Sequence, residues 1–257
     1  MDHTTYRLII VGIFSILSFL SLVLLRKKAA LLIVFFVAVA LGIYRGVQFA
    51  GYAMAGDSVY PIELSHIAYF TQAAILLSGI PQLQFFAGFF SFCCAVGYFV
   101  GAMASPASMM SGLDDFTIVQ GMVIHGLLLF CGIVMLFGIR RYKKRALFYT
   151  VLSFVLLYLF AYLVKNDILY PGVPKDSYVV LKMFDGSLLN YLFPEMTLTP
   201  MVETMTTVGL LLIAFLLSLG LYFANQKFFK GKEENILECG IYPWLKKYSA
   251  DEDEIRR

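Results

Sequence analysis

Charged residues are scarce in this sequence: they make up 14% of its 257 residues, whereas hydrophobic residues make up 60%. A soluble globular domain contains about 25% charged residues, so the composition excludes that class. The apolar residues form long continuous runs rather than the ten-residue alternating segments of membrane barrels. A spanning helix needs about 20 apolar residues and satisfies its own backbone hydrogen bonds in lipid. The sequence therefore predicts an all-α, polytopic integral membrane protein.

Cysteine is also rare, and the cysteines are not spaced for a metal site or a disulfide framework. Cys93 and Cys94 are adjacent and project about 100° apart on a helix, which makes them poor partners for each other. Cys131 lies in an apolar run, where packing is its expected role, and Cys239 lies in a polar tail. We therefore expect no disulfide, no metal and no cofactor, and nothing indicates a nucleic-acid partner.

The first apolar run lacks the pattern of a cleavable signal peptide, because the basic residues 26–28 follow the run instead of preceding it. We therefore expect a true span with the N-terminus outside. The predicted spans cover, within a few residues, 8–25, 29–44, 61–79, 85–103, 117–138, 146–164 and 201–223. Residues 45–60 are expected to form an exterior loop, and residues 176–193 an interfacial or re-entrant element on the outer face.

Most Lys and Arg residues fall on one side of this layout, in three groups at 26–28, 140–145 and in the tail from Lys227. An excess of Lys and Arg marks the cytoplasmic side of a membrane protein. We therefore predict a seven-helix transmembrane domain over 1–224, with the N-terminus outside, and a cytoplasmic polar tail over 225–257. No organelle address is present, and the expected location is a bacterial cytoplasmic membrane.

Few polar side chains interrupt the predicted spans, and such residues usually mark a functional site. The third span contains Glu63, Ser65, His66 and Gln72, and the fifth contains His125. Both spans run inward, so Ser65, about 6 Å along its helix, and His125, about 12 Å along its own, lie in the outer half of the bilayer. Gln72 is expected to form an interhelical hydrogen bond.

A serine and a histidine at similar depth suggest nucleophilic catalysis. A neutral histidine activates a serine by accepting its proton, and a carboxylate can orient the histidine. The candidate carboxylates on the outer side are Glu63, Asp114, Asp115 and Asp185. Glu63 and His66 are three residues apart and can pair on one helix face, which makes His66 a second polar contact or an interface histidine.

Each of these residues also has a structural interpretation. A serine in a membrane helix often bonds the backbone carbonyl one turn back. A single intramembrane histidine can form a structural bond between helices. The spacing of Ser65 and His125 alone therefore does not establish an enzyme.

Several short motifs resemble those of a known family. The sequence PIELS at 61–65 is similar to the start of the third span in the bacterial YwaF-like integral membrane proteins. The sequence VIHGLLLF at 123–130 resembles the histidine-glycine helix of that family. Asn166 and the sequence NYLFPE at 190–195 resemble its asparagine and asparagine-tyrosine loop before the last span.

The YwaF-like family is related in fold to eukaryotic ether-phospholipid acyltransferases and, more distantly, to the androgen-induced transmembrane hydrolases of fatty-acid esters. The resemblance implies Ser65 as the nucleophile and His125 as its base. The candidate orienting or substrate-contacting residues are Glu63, His66, Asn166, Asp185, Asn190 and Tyr191. Serine stands where the closer relatives have cysteine, which favours hydrolysis over acyl transfer, because an acyl-serine ester is less activated than a thioester.

The expected function is therefore an intramembrane acyltransferase or acyl-ester hydrolase, whose partner is a membrane lipid or fatty-acyl substrate. The alternative is a transporter or binding protein without catalysis, in which Glu63, His66, Gln72 and His125 line a cavity. The sequence shows no clear internal repeat, and such a repeat would have supported a transporter. A retinal receptor is disfavoured, because residues 201–223 contain no lysine for a Schiff base.

Overall fold

The computed structural model describes residues 2–25, 30–107, 111–173, 178, 180–181 and 199–229. Within these ranges the chain forms seven helices of 15 residues or more, and no strand. The helices are α1 His3–Leu24, α2 Ala30–Ala55, α3 Leu64–Ser78, α4 Pro81–Ala104, α5 Asp115–Val134, α6 Arg145–Lys165 and α7 Pro200–Phe228. A single π-helical turn, Met135–Ile139, continues α5.

Six of the described helices are long and apolar enough to cross a membrane, so the chain is an integral membrane protein. The exception is α3, which has 15 residues and a length of about 22 Å, shorter than a hydrocarbon core of about 30 Å. The predicted count of seven spans includes α3, and that finer count stays a prediction.

The helices form an up-and-down bundle around α5. This helix packs against α4, α1 and α2, while α3 lies between α2 and α4, and α6 connects α4 with α7. We call one end of the bundle the His3 end, because it contains the first residues of α1, α3, α5 and α7. The opposite end is called the Leu24 end. Large apolar side chains on the outer helices, such as Leu8, Phe148 and Leu216, are exposed, as expected for surfaces that contact lipid.

Small residues bring the central helices close together. A Cβ atom at Gly132 of α5 would lie 2.7 Å from the backbone nitrogen of Phe92 in α4. A Cβ atom at Gly88 of α4 would lie 2.9 Å from the Cβ atom of Met135. Only glycine fits such an approach, which is typical of membrane helix pairs.

The turn between α3 and α4 follows directly from its residues. Gly79 ends α3 with a φ of 66°, and its N–H donates to the Ile75 carbonyl. Pro81 then starts α4, where a missing N–H costs nothing. At the other end of α3, Ile62 is fully buried and packs with Val164, Tyr178 and Leu181. Most of the element that the sequence predicts at 176–193 lies outside the described residues, so it stays a prediction.

At the Leu24 end, Asn225 of α7 joins the π-helical turn to the start of α6. Its side-chain amide donates to the carbonyls of Leu136 and Arg140, at 2.6 and 3.0 Å. Its side-chain oxygen accepts from the Tyr142 N–H at 3.1 Å. One buried amide therefore satisfies backbone groups that the π-helical turn leaves unpaired. The helix α7 extends to Phe228, beyond the predicted end of the last span at Phe223.

One predicted loop is wrong. Residues 45–60 were expected outside the membrane, but α2 continues to Ala55. The glycines and Asp57 of this stretch suggested a loop. Three of its polar residues, Arg45, Gln48 and Tyr52, instead recur every three or four positions and lie on one face of the helix. The opposite face, with Ile43, Val47 and Met54, is exposed. This half of α2 is therefore an amphipathic helix whose polar face points into the bundle.

Candidate functional site

His125 lies inside the bundle on α5 and is only 8% exposed. Its Nδ1 atom lies 2.8 Å from the Gly121 carbonyl oxygen, one turn back in the same helix. A carbonyl oxygen only accepts, so Nδ1 carries a proton and donates it. In the neutral ring the lone pair then resides on Nε2. The backbone of α5 thus sets the tautomer that a general base with a reactive Nε2 requires.

Two tyrosines from neighbouring helices fix the orientation of this imidazole. The ring of Tyr98 in α4 stacks on it with a centroid distance of 3.7 Å. The ring of Tyr69 in α3 contacts it edge-on, with centroids 6.1 Å apart. Gly121 leaves room for the Tyr98 side chain, because a Cβ atom there would lie 3.3 Å from the Tyr98 hydroxyl oxygen.

Ser65 lies in the first turn of α3 and is half-buried. Its position relative to Tyr69 and Gln72, four and seven residues later, places all three on one helix face. Ser65 is therefore about one turn, roughly 6 Å of helix rise, from the tyrosine that contacts His125. Within the described part of the chain no hydrogen bond joins Ser65 to His125. The catalytic pairing of these two residues stays a prediction.

Arg45 belongs to the same cluster, although the sequence reasoning placed it in a loop. Its guanidinium carbon lies 5.0 Å from the centre of the Tyr69 ring. Its charge acts on both His66 and His125, and one of its terminal nitrogens donates to the Gln48 side chain. The spacing of Arg45, Gln48 and Tyr52 by three and four residues is typical of a helix and could have predicted that α2 continues through this stretch.

Among the described residues, no hydrogen bond or ion pair joins Glu63 to His66. The His66 ring packs edge-on against Phe49 of α2, with centroids 5.0 Å apart, and its Nδ1 atom is buried without a hydrogen-bond partner. Glu63 occupies the N-cap position of α3 without a side-chain capping bond. Its carboxylate acts electrostatically on Cys94 of α4.

The other candidate residues lie away from His125 or outside the described residues. Asp114 caps the start of α5 by accepting from the Thr117 N–H at 2.7 Å, and Asp115 lies in the first turn of α5. The Asn166 side chain donates to the Tyr162 carbonyl at the end of α6. Asn166 also lines a crevice of about 250 Å³ near the ion pair of Lys165 and Glu203. The candidates outside the described residues are Asp185, Asn190 and Tyr191.

Two of the structural expectations are confirmed. Gln72 forms the expected interhelical hydrogen bond, because its side-chain oxygen accepts from the Ser91 hydroxyl of α4 at 2.8 Å. Cys131 is fully buried in the main hydrophobic core, which agrees with a packing role. Both residues lie farther toward the Leu24 end than His66 and Tyr69, at the base of the polar cluster.

No family model matches the sequence, and neither a curated protein nor a solved structure is significantly similar to it. The interpretation of the polar cluster therefore depends on its own residues. That cluster joins α2, α3, α4 and α5 near the His3 end, and it contains a fixed imidazole, an arginine and two tyrosines.

Proposed function

We propose that this chain is a membrane-embedded enzyme that hydrolyses or transfers the acyl group of a lipid ester, with His125 as its general base. The observation that carries the proposal is the hydrogen bond from Nδ1–H of His125 to the Gly121 carbonyl at 2.8 Å. It leaves Nε2 unprotonated inside an apolar bundle, where a positioned base is most useful. The resemblance of residues 61–65 and 123–130 to the YwaF-like family supports the same chemistry.

In the proposed reaction Ser65 is the nucleophile. Its hydroxyl proton passes to Nε2 of His125 while its oxygen bonds to the acyl carbon of the lipid. The alcohol part of the lipid then leaves with that proton, and an acyl-serine remains. Water or a lysolipid attacks the acyl-serine, loses its proton to His125, and the serine hydroxyl is restored. Catalytic hydrogen bonds are often long without substrate, so the missing contact between Ser65 and His125 is compatible with this scheme.

A serine-directed fluorophosphonate probe tests the nucleophile. The purified wild-type chain should be labelled, and both Ser65→Ala and His125→Gln should lose labelling while their thermal transitions stay close to wild type. Ser153→Ala is the matched control, because the Ser153 hydroxyl only bonds the Tyr149 carbonyl of its own helix. Unchanged labelling in Ser65→Ala would remove Ser65 as the nucleophile.

A second candidate function is lipid or small-molecule binding, or transport, without catalysis. The observation that favours it is the presence of Arg45 in the cluster, together with the lack of a hydrogen bond between Ser65 and His125. Proteoliposomes separate the two functions. Solute or lipid movement without any change in lipid composition indicates a carrier, whereas release of fatty acid or acyl exchange indicates an enzyme.

We also propose the finer membrane layout, which has seven spans including α3, an exterior N-terminus, and a C-terminal tail in the cytoplasm of a bacterial cell. Basic residues Arg140, Arg141 and Arg145 at the Leu24 end support this orientation. Single cysteines test it in a variant that lacks Cys239. An impermeant maleimide should label Thr4→Cys in intact cells, and Arg141→Cys only after the membrane is opened. The reverse pattern would invert the layout.

A further inference from the structure

Arg45 is a charged residue in the middle of a membrane-crossing helix. It lies 10 residues before the end of α2 at Ala55, or about 15 Å along the helix axis. The side of α2 that faces outward is apolar, with Val47 68% exposed, whereas Arg45 points toward α3. A charge at such a depth is costly unless it is compensated, and such residues usually mark a site.

No carboxylate in the described part of the chain neutralises this charge. No ion pair joins Arg45 to a carboxylate there. Its guanidinium donates to the neutral Gln48 side chain and also interacts with the Tyr69 side chain, so both of these partners are neutral. An arginine offers five N–H donors, and its Nε atom is buried without a partner. The face of the Tyr69 ring attracts the cation but carries no negative charge to neutralise it.

Two more polar atoms beside Arg45 also lack partners. The Nδ1 atom of His66 and the hydroxyl oxygen of Tyr69 are buried without a hydrogen bond of normal geometry. Arg45 acts electrostatically on both side chains. Buried polar groups in folded proteins are almost always satisfied. Three neighbouring side chains that each have a buried polar atom without a hydrogen-bond partner, one of them a cation, form the pattern expected of a ligand site.

We propose that Arg45, His66 and Tyr69 bind the anionic oxygens of an amphiphile, whose apolar chain extends into the membrane. Phosphate and carboxylate oxygens match the flat donor array of a guanidinium. Two sources carry this chemistry: the phosphate of a glycerophospholipid and the carboxylate of a free fatty acid. The inference deepens the proposed function, on which it rests for the identity of the substrate, because it places the headgroup within one helix turn of Ser65.

The test compares ligands that differ in charge. The purified full chain in dodecyl maltoside is titrated with oleoyl-lysophosphatidylglycerol, with oleate and with uncharged monooleoylglycerol, and each dissociation constant is measured. The wild type should bind at least one anionic ligand about tenfold to a hundredfold more tightly than monooleoylglycerol, as expected for a charge-assisted bond. Which anionic ligand binds more tightly identifies the source, and inorganic phosphate shows whether the headgroup alone suffices.

Variants assign the preference to Arg45. Arg45→Gln should lose the preference for the anionic ligands, and Arg45→Lys should keep part of it. Arg141→Gln, an exposed arginine at the Leu24 end, is the matched control and should behave as the wild type. Equal affinity of the wild type for charged and uncharged ligands overturns the proposal, and this measurement does not depend on whether any variant folds. Retention of the preference in a folded Arg45→Gln variant also overturns it.

Labelling by the fluorophosphonate probe separates this inference from the proposed enzyme. A chain that prefers anionic amphiphiles but is not labelled at Ser65 contains the anion site and lacks the proposed catalysis. A chain that is labelled but has no charge preference contains the nucleophile and lacks the anion site.

Discussion

The imidazole of His125 lies flat against the phenol ring of Tyr98, with the two planes 5° apart and the ring centroids separated by 3.7 Å. The stack joins α4 to α5 at the depth of the polar cluster. Together with the bond from Nδ1–H to the Gly121 carbonyl, it leaves the imidazole little rotational freedom. Tyr98 is therefore a positioning residue in the proposed mechanism, because it acts through His125.

Removal of the stacking ring should slow the chemistry without unfolding the chain. We expect Tyr98→Leu to reduce the rate of probe labelling at Ser65 about tenfold, since a small misplacement of a catalytic group has a large kinetic effect. Tyr98→Phe keeps the ring and should retain the wild-type rate. The labelling rate is measured together with the thermal transition. Equal rates for the Leu and Phe variants would contradict a positioning role.

The contact between α4 and α5 should not tolerate a methyl group at its closest point. Gly132→Ala places a Cβ atom 2.9 Å from the Phe92 Cα atom and 3.1 Å from the Gly88 carbonyl oxygen. These are backbone atoms, so the helices must separate, at a cost of about 1–3 kcal/mol. Thermal unfolding in detergent measures the effect. Gly97→Ala, where nothing lies within 4 Å, is the control and should be neutral or slightly stabilising.

Asn225 should be the most sensitive polar residue at the Leu24 end. Asn225→Leu leaves the carbonyls of Leu136 and Arg140 and the N–H of Tyr142 without this partner. We expect a loss of about 2–4 kcal/mol, since each buried unsatisfied group costs about 1–3 kcal/mol. The comparison is with Asn166→Ala, an exposed residue that bonds only its own helix. A similar change in the midpoint of unfolding for both variants would contradict this assignment.

The cap of α5 predicts a loss of stability in acid. The Thr117 N–H and hydroxyl donate to Asp114 and lower the pKa of its carboxyl group. A carboxyl whose pKa is lowered in the folded state stabilises the fold above its unfolded pKa of about 3.9, and this contribution disappears as the pH falls further. Thermal transitions of the wild type and Asp114→Asn between pH 6 and pH 3 measure it. The wild type should lose more stability over this range, and parallel curves would contradict the prediction.

The local signals of the sequence predicted most helix ends well. Gly79 ends α3 in the left-handed conformation, at the predicted end of that span. The next helix begins at Pro81, four residues before its predicted start at 85. Asp114 caps α5 close to the predicted start of that span. These signals act over three or four residues, so they are visible without tertiary structure. The end of α2 was mispredicted because the polar residues and glycines after Tyr44 are typical of a loop, and such composition alone does not distinguish an exterior loop from a polar helix face inside a bundle.

The site was only partly predictable for a related reason. His125 is recognisable as a rare ionisable residue in an apolar run, and Gln72 as a polar group that needs a partner. The contacts of His125 with Tyr98 and Tyr69 were not predictable, because aromatic residues are common in membrane helices as lipid-facing bulk. Glu63 and His66 have the spacing of a pair on one helix face, but the His66 ring packs against Phe49 of the neighbouring helix.

The sequence by itself determined that this chain enters the membrane, which segments are helical, and where most of them begin and end. Those properties depend on the transfer of local apolar stretches into lipid and on short-range capping. Only the tertiary structure decided how each helix is rotated about its axis, and so which side chains meet. The rotation of a helix about its axis depends on all of its side-chain contacts with neighbouring helices, and those helices are distant in the sequence. For this reason Arg45, Tyr69, Tyr98 and His125 form one cluster that no single stretch of sequence encodes.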